Sequence, residues 1–313
     1  MMNSSLGYLD ATENYYDYNN TNDLYVYPEE ISHFLLAGFI RLGVTLFTCC
    51  IGLVGNGYII WLLGFQIKTN SFTTFILNLA VADFGYLASI VIYDIHELTH
   101  FLGSGILFDF CAFSCFMTLT NSHFLLTAIS IDRCVAVLFP IWHHCSRPKK
   151  LSSSICVLLW ISSSLLSGSM RIMLFTDVFG NNNIFGLHFL VIAIICLPLI
   201  TLSTAILFFK MCRKSNQKNQ GRLLLMILMT LLCFLLLAFP LNVFAVIISF
   251  SNIGAGIDQL YWGAGIIMCS CLNSSINPVI YFLVGRKKGA QSKESMKVIL
   301  QKVFKEGEAT GRR

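Results

Sequence analysis

The sequence predicts an all-α integral membrane protein: a bundle of seven transmembrane helices followed by a short amphipathic helix on one membrane face. Three observations predict it. Hydrophobic residues make up 56% of the 313 and charged residues only 12%, about half the charged share of an ordinary soluble domain. Seven apolar runs, at roughly 34–64, 72–95, 106–136, 152–174, 185–210, 223–250 and 258–284, each reach the ~20 residues that a membrane-spanning helix needs. Helices are the spanning element because backbone polar groups in lipid must be satisfied within their own segment. Third, 19 of the 21 Lys and Arg residues lie in or beside residues 65–71, 133–150, 210–222 and 286–313, leaving only Arg41 and Arg171. If seven helices alternate, those four segments share one side, which the positive-inside rule makes cytoplasmic, with the N-terminus outside. The net charge of +5 is therefore split between two faces of opposite sign and is not a nucleic-acid-binding signal. The expected organisation is an extracellular tail over 1–33, the bundle over 34–284, and a cytoplasmic amphipathic helix and tail over 285–313.

Residues 1–33 carry no Lys or Arg and no apolar run, so they do not form a signal peptide and read as a disordered tail. The first apolar run is then its own targeting signal. Asn3-Ser4-Ser5 and Asn19-Asn20-Thr21 match the N-glycosylation acceptor pattern on the side the charges place outside. Glu13-Asn14-Tyr15-Tyr16-Asp17-Tyr18 sets tyrosines among acids, a setting that permits sulfation; the plainer reading is a solvated polar tail.

The second run holds Asp83. A carboxylate in the middle of an apolar span costs several kcal/mol facing lipid, so it must face the interior and have partners. Asn56, Ser122, Asn273, Ser274 and Asn277 offer oxygens at similar depth. Two readings stand: a cation site, or a hydrogen-bonding staple between helices. The third run ends in Asp132 and Arg133, followed by a proline and a basic loop. Alone, that pair reads equally as an interfacial ion pair or as a switch. Pro198, Pro240 and Pro278 each remove a backbone donor within a run, and kinks at Pro240 and Pro278 are candidate hinges. His123 reads as a hydrogen-bonded core residue. Past Gly285, Met296, Ile299, Leu300, Val303 and Phe304 recur at helical spacing with Lys297, Lys302 and Lys305 interleaved, the pattern of a helix lying on an anionic leaflet; the alternative is a solvated charged tail.

Gly55-Asn56, the Leu79-Ala80-Val81-Ala82-Asp83 run, Asp132-Arg133-Cys134, Trp160, Pro198, Pro240 and Asn277-Pro278-Val279-Ile280-Tyr281 fall in successive runs and in order. Together they resemble the rhodopsin-like family of G protein-coupled receptors. A narrower resemblance, to the Mas-related branch, is carried by Trp61-Leu62-Leu63-Gly64-Phe65-Gln66, by Asp132 through Trp142 with Arg147-Pro148, and by Cys271 through Gly285. Cys134 where most rhodopsin-like receptors carry Tyr, and Ala238 where many carry Trp, agree with that branch.

The resemblance implies a plasma-membrane receptor, not an enzyme, that senses an extracellular ligand and activates heterotrimeric G proteins. It implies coupling and switch roles for Asp132, Arg133, Cys134, Pro240, Asn277, Pro278 and Tyr281. It also implies an allosteric sodium ion at Asp83, Ser122, Asn273, Ser274 and Asn277, and no other cofactor. Asp94, Glu97, Asp109, Asp177 and Asp258, with Arg171 the lone fixed cation, fall at the outer mouth. There they either favour a basic peptide or small cationic ligand or are merely solvated loop ends. Met170 and Arg171 stand near the place where some relatives carry acids for basic ligands. The usual clamp between the third run and the second outer loop cannot form, because residues 169–195 hold no cysteine; a bridge from Cys111 to Cys196 requires Cys196 to lie high in the fifth run.

Other classes fit less well. An opsin needs a Schiff-base lysine in the seventh run, yet no Lys occurs from Leu223 through Val284. A transporter would show repeated halves or several charges along an intramembrane path, and Asp83 is the only acid deep in a run. A receptor for another ligand class, or one active without ligand, remains the alternative reading.

Overall fold

The computed structural model describes residues 28–67, 70–99, 105–148, 150–176, 181–213, 221–251, 257–285, 297–298 and 301. The helices are α1 (Pro28–Trp61), α2 (Ser71–Thr99), α3 (Ile106–Leu138), α4 (Leu151–Thr176), α5 (Asn181–Arg213), α6 (Gly221–Leu237), α7 (Phe239–Ser251) and α8 (Ile257–Gly285). Short π-helical turns follow α1 at Leu62–Gln66 and α3 at Trp142–Ser146. Among the described residues, seven stretches are long and apolar enough to cross a membrane, and α6 and α7 together make the sixth, Leu223–Phe250. The expected all-α, seven-span architecture is observed, with each span close to its apolar run.

Contacts divide the chain into residues 1–41 and residues 42–313. Within the first unit, residues 28–41 are the opening turns of α1. Within the second, α3 is the central element: it packs against α2, α4, α5 and α6 and is buried almost continuously from Thr118 to Ser130. Two core clusters flank it. One gathers Leu79, Leu125, Ile200 and Phe234; the other gathers Tyr86, Leu119 and Cys271. Outward faces stay apolar, with Phe47, Val54, Leu165 and Leu202 exposed, as lipid contact requires.

Small residues and single polar bonds set the spacing between spans. Gly52 lets α1 approach α8 so closely that a Cβ there would lie 2.2 Å from Ser275 Oγ, and Ser275 Oγ donates to the Thr48 carbonyl at 3.0 Å. Trp160 Nε1 donates to Asn78 Oδ1 at 3.0 Å, tying α4 to α2. The sixth span breaks at Ala238. Pro240 has no N–H for the Leu236 carbonyl, so the ladder is carried around it by Ala238 N to Phe234 O at 2.9 Å and Asn242 N to Ala238 O at 3.0 Å. Pro198 and Pro278 lie inside unbroken helices.

All twelve cysteines are free thiols. Cys196 lies beside Thr127. Thr127 is sixteen residues along α3 from Cys111, about 24 Å at 1.5 Å per residue. A Cys111–Cys196 bridge is therefore out of reach. The amphipathic stretch after Gly285 lies largely outside the described residues; Lys297 Nζ there donates to Gln66 Oε1 at 2.8 Å.

Candidate functional site

At the end of α3 the sequence builds a charge cluster around one carboxylate. Asp132 Oδ2 accepts from Arg133 Nε at 3.0 Å and from Arg133 Nη2. Its other oxygen, Oδ1, takes Arg147 Nη2 at 2.6 Å and lies 3.5 Å from His143 Nε2. The π-helical turn Trp142–Ser146 brings these partners back after the chain has left α3. Arg147 is further fixed by Nη2 donating to Ser152 Oγ at 2.7 Å, and it also meets His143 through Nη1. The side chains are nearly dry: Arg133, Arg147 and Asp132 retain 11%, 6% and 8% of their accessible surface.

Arg133 also has an aromatic seat. Its guanidinium lies 4.3 Å from the centroid of the Phe72 ring. Phe72 is placed by the start of α2, where Asn70 Oδ1 accepts from the N–H groups of Phe72 and Thr73 at 3.0 and 2.8 Å and Thr73 Oγ1 accepts from Asn70 N at 2.7 Å. This reciprocal cap satisfies the orphan donors of the helix start. Nearby, Phe72, Met226, Ile227, Thr230, Leu231 and Tyr281 close on a cavity of only about 10 Å³, so the interior at this end is filled by α6 and α8. Tyr281 is buried among them. Cys134, also buried, donates its thiol to the Ser203 carbonyl of α5 at 3.3 Å.

The second polar centre surrounds Asp83, which is fully buried. Ser122 Oγ of α3 donates to Oδ1 at 2.7 Å and Asn277 Nδ2 of α8 donates to Oδ2 at 2.8 Å. Asn56 is not a direct partner; its Nδ2 donates to the carbonyls of Gly52 and Ser274, each at 3.0 Å. Ser274 faces the carboxylate, yet its buried hydroxyl makes no hydrogen bond among the described residues. Asn273 is buried in the same stretch of α8. An acidic group with two hydroxyls around it, one of them lacking a partner, fits a hard monovalent cation. Asn277 presents its NH₂ and so serves the carboxylate rather than a metal.

The proposed ligand mouth is only partly described. Asp177, Asn3 and Asn19 lie outside the described residues, as do the side chains of Glu97 and Asp258. Asp94 is buried, at 2% exposure, not displayed on a rim. Arg171 is paired with Asp109, through Nη2 and Oδ1, so the cation of that end neutralises one of its acids. Sequence reasoning missed the buried His188, whose Nε2 lies 3.1 Å from Thr120 Oγ1; His123, read as a core residue, is buried and stands edge-on to Phe234 at 5.1 Å. Neither ring nitrogen of His123 finds a hydrogen-bond partner among the described residues, so its burial was legible and its expected bonding was not. Arg147 and His143 were likewise missed as partners of Asp132; the signal was their i, i+4 spacing beyond the proline turn.

The family model described as "7 transmembrane receptor (rhodopsin family)" matches residues 55–281. Mas-related G-protein coupled receptor member H of Rattus norvegicus is 36% identical over 86% of this chain and 84% of its own length. Member D of Macaca fascicularis is 32% identical over 86% of each chain, and Proto-oncogene Mas of Rattus norvegicus is 33% identical over 82% and 81%. With seven spans in the structure and the family match over residues 55–281, the chain belongs to the rhodopsin-like receptors, multi-pass proteins of the plasma membrane and not enzymes. Within that class the chain belongs to the Mas-related G protein-coupled receptors.

Proposed function

We propose that this receptor senses an extracellular basic peptide or small cationic compound and activates a heterotrimeric G protein at the end that carries Asp132 and Arg133. One observation carries the reading: Arg133 is held by a carboxylate whose other oxygen is itself held by Arg147, while α6 and α8 fill the interior beside it. That is a resting arrangement. Ligand binding at the opposite end shifts the population toward one in which α6 moves out around the break at Ala238, Arg133 leaves Asp132, and a cavity opens for the G protein. The concentration of Lys and Arg in the segments flanking Asp132 supports assigning that face to the cytoplasm. The acids at the other end support a cationic ligand, with Asp109 already committed to Arg171.

The test is GTPγS loading of a purified G protein by the receptor in nanodiscs. Asp132→Asn should raise basal exchange several-fold and Arg133→Ala should abolish ligand-evoked exchange. Both variants matching the wild type would overturn the switch. A panel of basic and acidic peptides in the same assay tests the ligand class, and a response confined to acidic or neutral members would overturn it.

A further inference from the structure

A groove of about 400 Å³ runs along α3, α4 and α5, with the buried Phe75 of α2 and Phe124 among its lining, at the end where Asp132 sits. Its walls are apolar, and four of its lining side chains, Ile131, Trp142, Ile195 and Leu199, are 38–46% exposed, so it opens sideways into the bilayer. Its other end is charged: Asp132, His143 and Arg147 line it. The volume lies within the range of specific ligand sites, about 300–1,000 Å³, and its combination of an apolar trough with one polar end is the shape of a single-chain amphiphile.

The sign of the head group follows from the bonds already made. Asp132 has no oxygen to spare, since Oδ2 is taken by Arg133 and Oδ1 by Arg147 with His143 close by. A cationic head would find no free acceptor there. Arg147 does have a donor to spare. Its Nη1 meets His143 and its Nη2 meets Asp132 and Ser152, but its Nε is buried with no hydrogen-bond partner among the described residues. A buried N–H without an acceptor is rare in folded proteins and calls for one. Two guanidinium groups around one carboxylate leave an excess positive charge, so the missing acceptor is an anion. One N–H with a neighbouring imidazole suits a carboxylate; a phosphate would call for more donors than this end supplies.

We propose that this groove binds a long-chain carboxylate, a free fatty acid drawn from the surrounding leaflet, with its head at the Arg147 and His143 end and its chain along Ile131, Ile195 and Leu199. Bound there, it ties the turn after α3 to α4 and keeps the Asp132 cluster assembled, which lowers basal G protein activation. That consequence rests on the switch reading of Arg133; the site itself does not.

Trp142 at the rim is a built-in reporter. The receptor in phosphatidylcholine nanodiscs is titrated with a brominated fatty acid, and tryptophan quenching is compared with that of a Trp142→Phe variant, which isolates the Trp142 contribution. Saturable quenching of Trp142 is expected, reversed by unbrominated palmitate and weakened at least tenfold in apparent affinity by the methyl ester or by Arg147→Gln. Leu199→Phe narrows the trough without touching a charge and should weaken binding about fivefold, which keeps the test valid if Arg147→Gln fails to fold. Equal quenching by the methyl ester or by a brominated phosphatidylcholine would mean ordinary bilayer contact and would overturn the site. Tighter competition by lysophosphatidate than by palmitate would overturn the carboxylate assignment. Saturable binding with unchanged basal GTPγS exchange would overturn the consequence for signalling while leaving the site standing.

Discussion

Asp132 is shared between two cations that reach it in different ways. Arg133 is its chain neighbour, whereas Arg147 arrives after the chain has left α3, passed Pro140 and turned through Trp142–Ser146. Because Arg147 and Asp132 retain only 6% and 8% of their surface, the charge-assisted bond between them is worth more than a surface pair, about 1.5–3 kcal/mol. It also fixes, through Oδ1, the carboxylate whose Oδ2 holds Arg133. Arg147→Gln should therefore lower the thermal midpoint of the purified receptor by several degrees while loosening the hold of Asp132 on Arg133, so basal GTPγS exchange rises as stability falls. The cycle with Asp132→Asn makes the test specific: once Asp132 is neutral, Arg147→Gln should cost less than half of what it costs in the wild type. Additive losses in stability would show that Arg147 acts through Ser152 and His143 rather than through Asp132.

Among the elements, the α1–α8 contact is the tightest of the close approaches at glycine. A Cβ on Gly52 would sit 2.2 Å from Ser275 Oγ and 2.5 Å from Leu87 Cδ1, and Ser275 cannot yield freely because its hydroxyl is bonded to the Thr48 carbonyl. Overpacking of this kind costs about 1–3 kcal/mol. Gly43, in the same helix, has nothing within 4 Å of its would-be Cβ, and alanine there should stabilise by up to about 1 kcal/mol through helix propensity. Thermal melts of Gly52→Ala and Gly43→Ala should move in opposite directions, and equal shifts would remove the packing argument. The contrast marks where sequence reasoning stops. Apolar runs gave the spans to within a few residues because length and hydropathy are properties of a segment alone, and Asp83 was legible because a lone buried carboxylate demands partners. Gly52 was not, since Gly52, Gly55 and Gly57 look alike in the sequence and only the neighbouring spans reveal which glycine is pressed hardest. Ser122 and Asn277 emerged as direct partners of Asp83 while Asn56 turned to the Gly52 and Ser274 carbonyls. Depth along a span is readable from sequence; rotation about the helix axis is not.

For the molecule as a whole, Asp83 is the point at which three spans meet. It is bonded to α3 through Ser122 and to α8 through Asn277, next to Pro278, so any rearrangement of α8 must remake those bonds. A cation held there would join α2, α3 and α8 in the arrangement in which Arg133 is clamped, with the buried Ser274 hydroxyl beside the carboxylate as a further oxygen. Sodium that binds one arrangement better than the other shifts the balance by its differential affinity and no more. Raising Na⁺ from low to physiological concentration at constant ionic strength, with choline as the replacement, should therefore reduce basal GTPγS exchange and weaken agonist affinity several-fold. In Asp83→Asn that dependence should vanish, because the amide retains hydrogen bonding but carries no charge. If Asp83 is only a hydrogen-bonding staple, the wild type will ignore sodium and Asp83→Asn will change stability alone; that result would dismiss the cation and leave the carboxylate as the hinge between α3 and α8.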